Sequence, residues 1–138
     1  MCMECLSNWR HVKRLNGMAC KGNVLKLPAD CTYNRLYILA AAASDKDVKG
    51  IFRVGKYVQE VIVPSYTGFI GQWGHTGHTE GYLKDAEVAY VGTHRHSGEG
   101  DQPYEFTYMF KFAIDLPERA TEVVLPDNKD IVIFAATL

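Results

Sequence analysis

Residues Glu87 to Asp115 read EVAYVGTHRHSGEGDQPYEFTYMFKFAID, and this stretch decides the fold. Large apolar residues occupy every second position of its second half: Phe106, Tyr108, Phe110, Phe112 and Ile114. Successive side chains of a β-strand point to opposite faces of the sheet, so these side chains form one continuous apolar wall. Burying each of them contributes about 1.5–3 kcal/mol. The sequence therefore predicts that this strand anchors the core.

A polar loop is predicted between this strand and an earlier one in the same stretch. Val88 to Thr93 alternates as a strand does, whereas His94 to Asp101 contains the densest group of reactive side chains in the chain. We expect Arg95 to reach furthest from this loop, because a planar guanidinium suits carboxylates and sugar hydroxyls. The loop is the first candidate site.

The rest of the chain alternates short strand patterns with turn signals. The further predicted strands are Val24 to Leu27, Arg35 to Ala43, Val48 to Val54, Tyr57 to Val63, Thr121 to Leu125 and Ile131 to Ala136. No stretch has a convincing helical period. About eight short strands in this arrangement predict an all-β fold, an antiparallel β-sandwich that is jelly-roll-like. We expect one domain over residues 16–138, with residues 1–15 as an unassigned N-terminal arm or leader.

Composition and charge exclude several classes of function. The chain has 138 residues, 47% of them hydrophobic and 22% charged, which is typical of a soluble globular domain. A formal net charge of −1 gives no broad attraction to nucleic acid or to an anionic membrane surface. No run has the length of a membrane span, and no hydrophobic signal segment follows Met1. We therefore expect a soluble protein with no nucleic-acid or membrane partner, of unknown compartment.

The cysteines do not predict a zinc ribbon. Cys2 and Cys5 have the C-x-x-C spacing, but Cys20 and Cys31 do not form a matching pair. A four-thiolate site needs two such pairs. Free or irregularly paired thiols are the favoured interpretation.

A glycine-rich segment from Ser65 to Lys84 is the second candidate site. It contains the aromatic residues Tyr66, Phe69, Trp73 and Tyr82. Aromatic rings of this kind either form a platform for sugar rings or close one end of the sandwich, and the second interpretation is favoured because large aromatics are usually at least partly buried.

The histidines offer a metal site as an alternative. The candidate ligands are His75, His78, His94 and His96. An H-x-H pair on extended backbone places both imidazoles on one face, and Glu80 or Glu99 would add an oxygen. The pattern is similar to the first cupin motif, but its spacing differs and no second motif follows. The favoured interpretation is that His94 and His96 bond to backbone or carboxylates at a strand end, that His75 and His78 are exposed, and that no metal is held.

Two neighbouring carboxylates also deserve a chemical interpretation. Glu99 and Asp101 are two residues apart, and glycosidases act with paired carboxylates. Such a pair needs different environments to separate its pKa values, and the flanking glycines supply none. The sequence therefore favours solvated turn residues over a catalytic pair.

Several separated segments resemble one known family. They are Pro28 to Ala42 (PADCTYNRLYILAAA), Gly68 to Trp73 (GFIGQW), Ala89 to Asp101 (AYVGTHRHSGEGD) and Leu116 to Ala136 (LPERATEVVLPDNKDIVIFAA). In this order they are similar to the C-terminal β-sandwich region of bacterial glycoside hydrolase family 38 α-mannosidases. The resemblance covers residues 16–138.

The resemblance implies an accessory domain with no turnover of its own. In that family the catalytic carboxylates and the zinc ion belong to an N-terminal domain, so this chain is expected to hold no catalytic residue and no cofactor. The implied partners are that catalytic domain and mannose-containing carbohydrate, and an oligomer is compatible with the sequence. The candidate contact residues are Gln72, Trp73, His94, Arg95, His96, Glu99 and Asp101. The alternatives are a free-standing carbohydrate-binding module and a cupin-like metal protein.

Overall fold

The computed structural model describes residues 17–29, 32–69 and 86–138, and these residues form ten strands. The strands are β1 (Met18–Ala19), β2 (Val24–Lys26), β3 (Arg35–Ala42), β4 (Val48–Val54), β5 (Tyr57–Val63), β6 (Thr67–Phe69), β7 (Glu87–Ser97), β8 (Gly100–Asp115), β9 (Glu122–Val124) and β10 (Ile131–Thr137). In this part of the chain no helix is long and apolar enough to cross a membrane.

The strands form two antiparallel sheets. The long sheet has the order β1-β10-β3-β8, with β6 and β7 also paired to β8, and the short sheet has the order β2-β9-β4-β5. Successive strands cross from one sheet to the other with two exceptions: β4 and β5 are joined by the Gly55-Lys56 turn, and β6, β7 and β8 all belong to the long sheet. Strands β1 to β5 and β8 to β10 thus have the connectivity of a jelly roll. The predicted all-β antiparallel sandwich is confirmed.

The core lies between the two sheets and is organised around β8, as predicted. Tyr108, Phe110, Phe112 and Ile114 are buried, and Phe106 packs against the core partly buried. On β3, Leu36, Ile38 and Ala40 lie directly opposite Ile114, Phe112 and Phe110. Phe52, Val54 and Val63 of the short sheet are also buried in this core. The wall of alternating apolar residues therefore identifies the buried face correctly.

One detail of the predicted fold is wrong. The eight predicted strands are all present, and the described residues add the short strands β1 and β6 to them. The predicted loop from His94 to Asp101 is a strand hairpin, in which only Gly98 and Glu99 form the turn. Polar residues pair across this hairpin as regularly as apolar ones, and Gly100, at φ 112°, adopts a backbone conformation that favours glycine. The other predicted strands agree to within one residue at each end.

Candidate functional site

The tip of the β7–β8 hairpin brings two imidazoles to one carboxylate. His96 lies directly opposite Asp101 in the ladder, and its Nδ1 is 2.7 Å from Asp101 Oδ1. His94, two positions earlier on the same face, has its Nε2 3.5 Å from the same oxygen. Thr93 Oγ1 lies 3.1 Å from His94 Nδ1. The same-face arrangement expected of H-x-H is therefore present, on a strand instead of a loop.

The two histidines stabilise the ionised form of the Asp101 carboxylate. The hydrogen bond from His96 is the largest cause that lowers the pKa of Asp101 below its ordinary value, and attraction to His94 adds to it. All three side chains are largely exposed to solvent, which screens the interaction. The cluster can orient imidazoles and accept hydrogen bonds from a bound group.

Arg95 lies on the other face of the hairpin and does not reach outward as the sequence predicted. Its Nη1 is 3.4 Å from Glu105 Oε2, and its guanidinium lies 5.9 Å from the centre of the Tyr66 ring. Only 35% of its side chain is exposed. The Glu105 carboxylate of β8 and the Tyr66 ring just before β6 together hold the planar group against the chain itself.

The remaining predicted site residues divide into two groups. Glu99 is in the exposed turn, where its backbone N–H donates to Ser97 Oγ at 3.3 Å, and Ser97 Oγ donates to the Gly100 carbonyl at 3.1 Å. Asp101 is bonded to imidazoles, so the carboxylates of Glu99 and Asp101 lie in different environments. Gln72, Trp73, His75 and His78 lie outside the described residues.

The described ranges, 17–29, 32–69 and 86–138, contain no arrangement suited to a metal ion. Within them no group of three or more His, Cys, Asp or Glu residues is placed to hold a metal ion. His94 and His96 both have a ring nitrogen beside Asp101 Oδ1. The predictions for His75 and His78 fall outside these ranges.

An apolar cavity of about 310 Å³ opens on the outer face of the long sheet. It is lined by Ala41, Ala43, Tyr66, Tyr90, Thr107, Tyr108, Met109, Val132 and Phe134. Ala41 and Ala43 have small side chains, whereas the aromatic and methionine side chains around them are long. The row of alanines in β3 is the one feature of the sequence that indicates the cavity. The side chains that form its walls are known only from the register of β3, β8 and β10.

Tyr90 lies on the rim of this cavity and is 56% exposed. It is directly opposite Met109, and Gly92 is directly opposite Thr107, so these residues share the outer face. A Cβ atom at Gly92 would collide with Thr107 Oγ1. Val88 and Val91 of the same strand are also exposed. We call the cavity and Tyr90 together the docking face.

Comparison with known proteins gives one assignment. A search of the curated proteins found no match. The model of a protein family described as the AziU2-like beta-sandwich domain matches residues 8–138, which is nearly the whole chain. This description agrees with the fold and names no mannosidase, so the mannosidase part of the resemblance stays a prediction. The chain belongs to the AziU2-like β-sandwich domain family.

Proposed function

We propose that this chain is a non-catalytic accessory domain of an α-mannosidase-like glycoside hydrolase, and that it packs on the catalytic domain through its docking face. The observation that carries the proposal is the apolar cavity with exposed Tyr90 on its rim. An exposed apolar patch of this kind is typical of a surface that another protein covers.

The side chains of the docking face suit a protein partner. Tyr90, Tyr66 and Phe134 border a cavity whose floor contains alanines. A cavity rimmed by aromatic rings accepts one large apolar side chain, and such anchors contribute most of the binding energy in protein interfaces. Few polar side-chain groups line the cavity, so shape and apolar contact would determine its occupant.

The hairpin tip gives this domain a route to the sugar site of its partner. His94, His96 and Asp101 are at the end of a β ladder that continues from the core, which fixes their position. Imidazoles and a carboxylate bind sugar hydroxyls through hydrogen bonds. In this proposal the tip forms part of the rim of the sugar site, and the reaction itself takes place in the catalytic domain.

The resemblance supports the choice of partner. The segments similar to family 38 α-mannosidases include both β3 and the β7–β8 hairpin, which line or flank the docking face. In that family the nucleophile, the acid/base carboxylate and the zinc ion are in another domain. The zinc ion of the enzyme is accordingly assigned to the partner.

A carbohydrate-binding module is the second candidate. The exposed ring of Tyr90, beside Tyr66 and Phe134, favours it, since aromatic rings stack on the apolar faces of sugars. Thr107 and the tyrosines are the lining residues with polar side-chain atoms. Sugar sites usually add several convergent hydrogen-bonding groups to the aromatic ring, so this candidate ranks second.

A thermal-shift experiment separates these functions. The purified chain should leave aryl α-mannosides intact, and it should raise the melting temperature of a separately purified family 38 catalytic domain encoded in the same genome. Calorimetry with mannose oligosaccharides tests the second candidate. Hydrolysis by the chain alone would refute the proposal, and sugar binding without any effect on the catalytic domain would favour the binding module.

A further inference from the structure

Strand β7 has a free edge within the described part of the molecule. It is 11 residues long and pairs there with β8 alone. Its sequence, EVAYVGTHRHS, contains neither proline nor lysine, which commonly protect the edges of sheets. Val91, in its middle, is 46% exposed. The exposed, partly apolar part of this edge around Val91 is a template for pairing with another strand.

The backbone of Val91 points to that edge. The N–H of Tyr108 donates to the carbonyl of Tyr66 at 2.7 Å, which is on the side of β8 away from β7. Backbone groups of successive residues point to alternate sides of a strand, so those of Thr107 and Met109 point to β7. Their partners on β7, Gly92 and Tyr90, therefore bond to β8. The N–H and C=O of Val91, between these two residues, face away from the sheet.

We propose that β7 pairs antiparallel with β7 of a second copy of this chain, with the two-fold axis at Val91. Under that symmetry Val91 lies opposite Val91 of the second copy, and their outward backbone groups bond to each other. The long sheets of two copies then become one continuous sheet. A two-fold axis requires a surface that is complementary to itself.

The residues beside Val91 meet that requirement. The axis places Tyr90 directly opposite Gly92 of the second copy, and Gly92 opposite the second Tyr90. A tyrosine ring beside a glycine on the neighbouring strand covers the backbone that the glycine leaves bare, which stabilises pairing. This contact occurs twice in the dimer, once for each copy.

The charged side chains of β7 already have partners within the chain. Glu87 contacts Lys111, Arg95 contacts Glu105, and both histidines contact Asp101. The antiparallel direction therefore follows from the two-fold axis and not from charge. Register shifts between Val88 and Tyr90 and between Gly92 and His94 end the regular ladder on both sides of Val91, so the contact is short. We therefore expect a reversible, concentration-dependent dimer.

The axis residue provides a specific test by analytical ultracentrifugation in reducing buffer. Wild-type chain should dimerise as its concentration rises. Val91→Lys and Val91→Glu should each weaken self-association at least about tenfold, because each residue faces a like charge at the axis. An equimolar mixture of the two variants should regain dimer, because lysine then faces glutamate.

The matched control is Val58→Lys on β5, an edge strand of the short sheet. Val58 is 57% exposed, so it has comparable exposure on a different edge. This variant should dimerise as wild type does. A monomeric wild type at the highest soluble concentration would overturn the proposal, as would dissociation by Val58→Lys alone or a mixture of Val91 variants that stays monomeric.

Hydrogen exchange of the wild-type chain tests the same contact without a substitution. The amide of Val91 should become protected as concentration rises, whereas the exposed β5 edge should keep its exchange rate. Dimerisation that leaves exchange in β7 unchanged would place the interface elsewhere and overturn the proposal. Tyr90 takes part in both contacts, whereas Val91 does not line the cavity, so the Val91 variants test the free edge alone.

Discussion

Gln59 of β5 bonds through its side-chain amide to the backbone of β8 at Ala113 and Asp115. Its Nε2 donates to the Ala113 carbonyl at 2.9 Å, and its Oε1 accepts the N–H of Asp115 at 3.0 Å. Strand β7 as described begins opposite Lys111, just before these two groups. One amide side chain from the short sheet thus satisfies the backbone of the long sheet where the ladder with β7 ends.

Gln59→Leu should destabilise the fold. It leaves a donor and an acceptor of β8 without their partners, and such a loss costs about 1–3 kcal/mol per buried group. We expect the lower end of that range, because the site is partly exposed. Chemical denaturation measures the change in the free energy of unfolding.

Glu60→Gln is the control for this prediction. Glu60 is the next residue of β5 and forms an exposed ion pair with Lys49 at 2.9 Å. Losing such a surface pair costs about 0.2–1 kcal/mol or less. Equal effects of the two substitutions would contradict the role assigned to Gln59.

Gly92→Ala should also destabilise the chain, because its Cβ atom would collide with Thr107 Oγ1. Overpacking of this kind costs about 1–3 kcal/mol. Thr107→Ala removes that oxygen, so the double variant should regain most of the stability. Gly98→Ala is the matched control, since a Cβ there meets no atom within 4 Å. Thermal melts compare the three variants. If Gly98→Ala and the double variant melt at the same temperature as Gly92→Ala, this geometry is contradicted.

Asp101 should titrate below the ordinary aspartate pKa of 3.8. Because its pKa is lowered in the folded chain, its contribution to stability is present above the unfolded pKa and is lost as pH falls through the folded one. NMR titration of the carboxyl group measures this directly.

The two histidines near Asp101 should contribute unequally. His96→Gln should raise the pKa of Asp101 more than His94→Gln, because the hydrogen bond from His96 is the larger cause. Equal shifts would contradict the hairpin geometry.

The Cys20 thiol should resist alkylation in the folded chain. The residue is fully buried, and burial raises its pKa to about 11. The thiolate is the reactive form, so little of it is present at neutral pH. Peptide mapping after iodoacetamide treatment should show Cys20 modified only in denaturant. Rapid modification of the native chain would show that this end of the sandwich opens.

The sequence predicted the features that depend on one strand and missed those that depend on several. The period of two from Phe106 to Ile114 identified the anchor of the core, because burial of one face leaves a pattern within a single strand. A carboxylate partner for His94 and His96 was among the predictions, but the hairpin that makes Asp101 this partner was missed, since polar residues carry no strand signal. The cavity was missed as well, because it depends on how Ala41 and Met109 lie relative to each other across two strands.

Calorimetric titration of the chain with the separately purified catalytic domain of a family 38 α-mannosidase from the same genome tests the central claim most directly. We predict saturable binding that Tyr90→Asp weakens at least about tenfold and that Val58→Asp leaves unchanged. No binding, or equal binding by both variants, would contradict the proposed docking face.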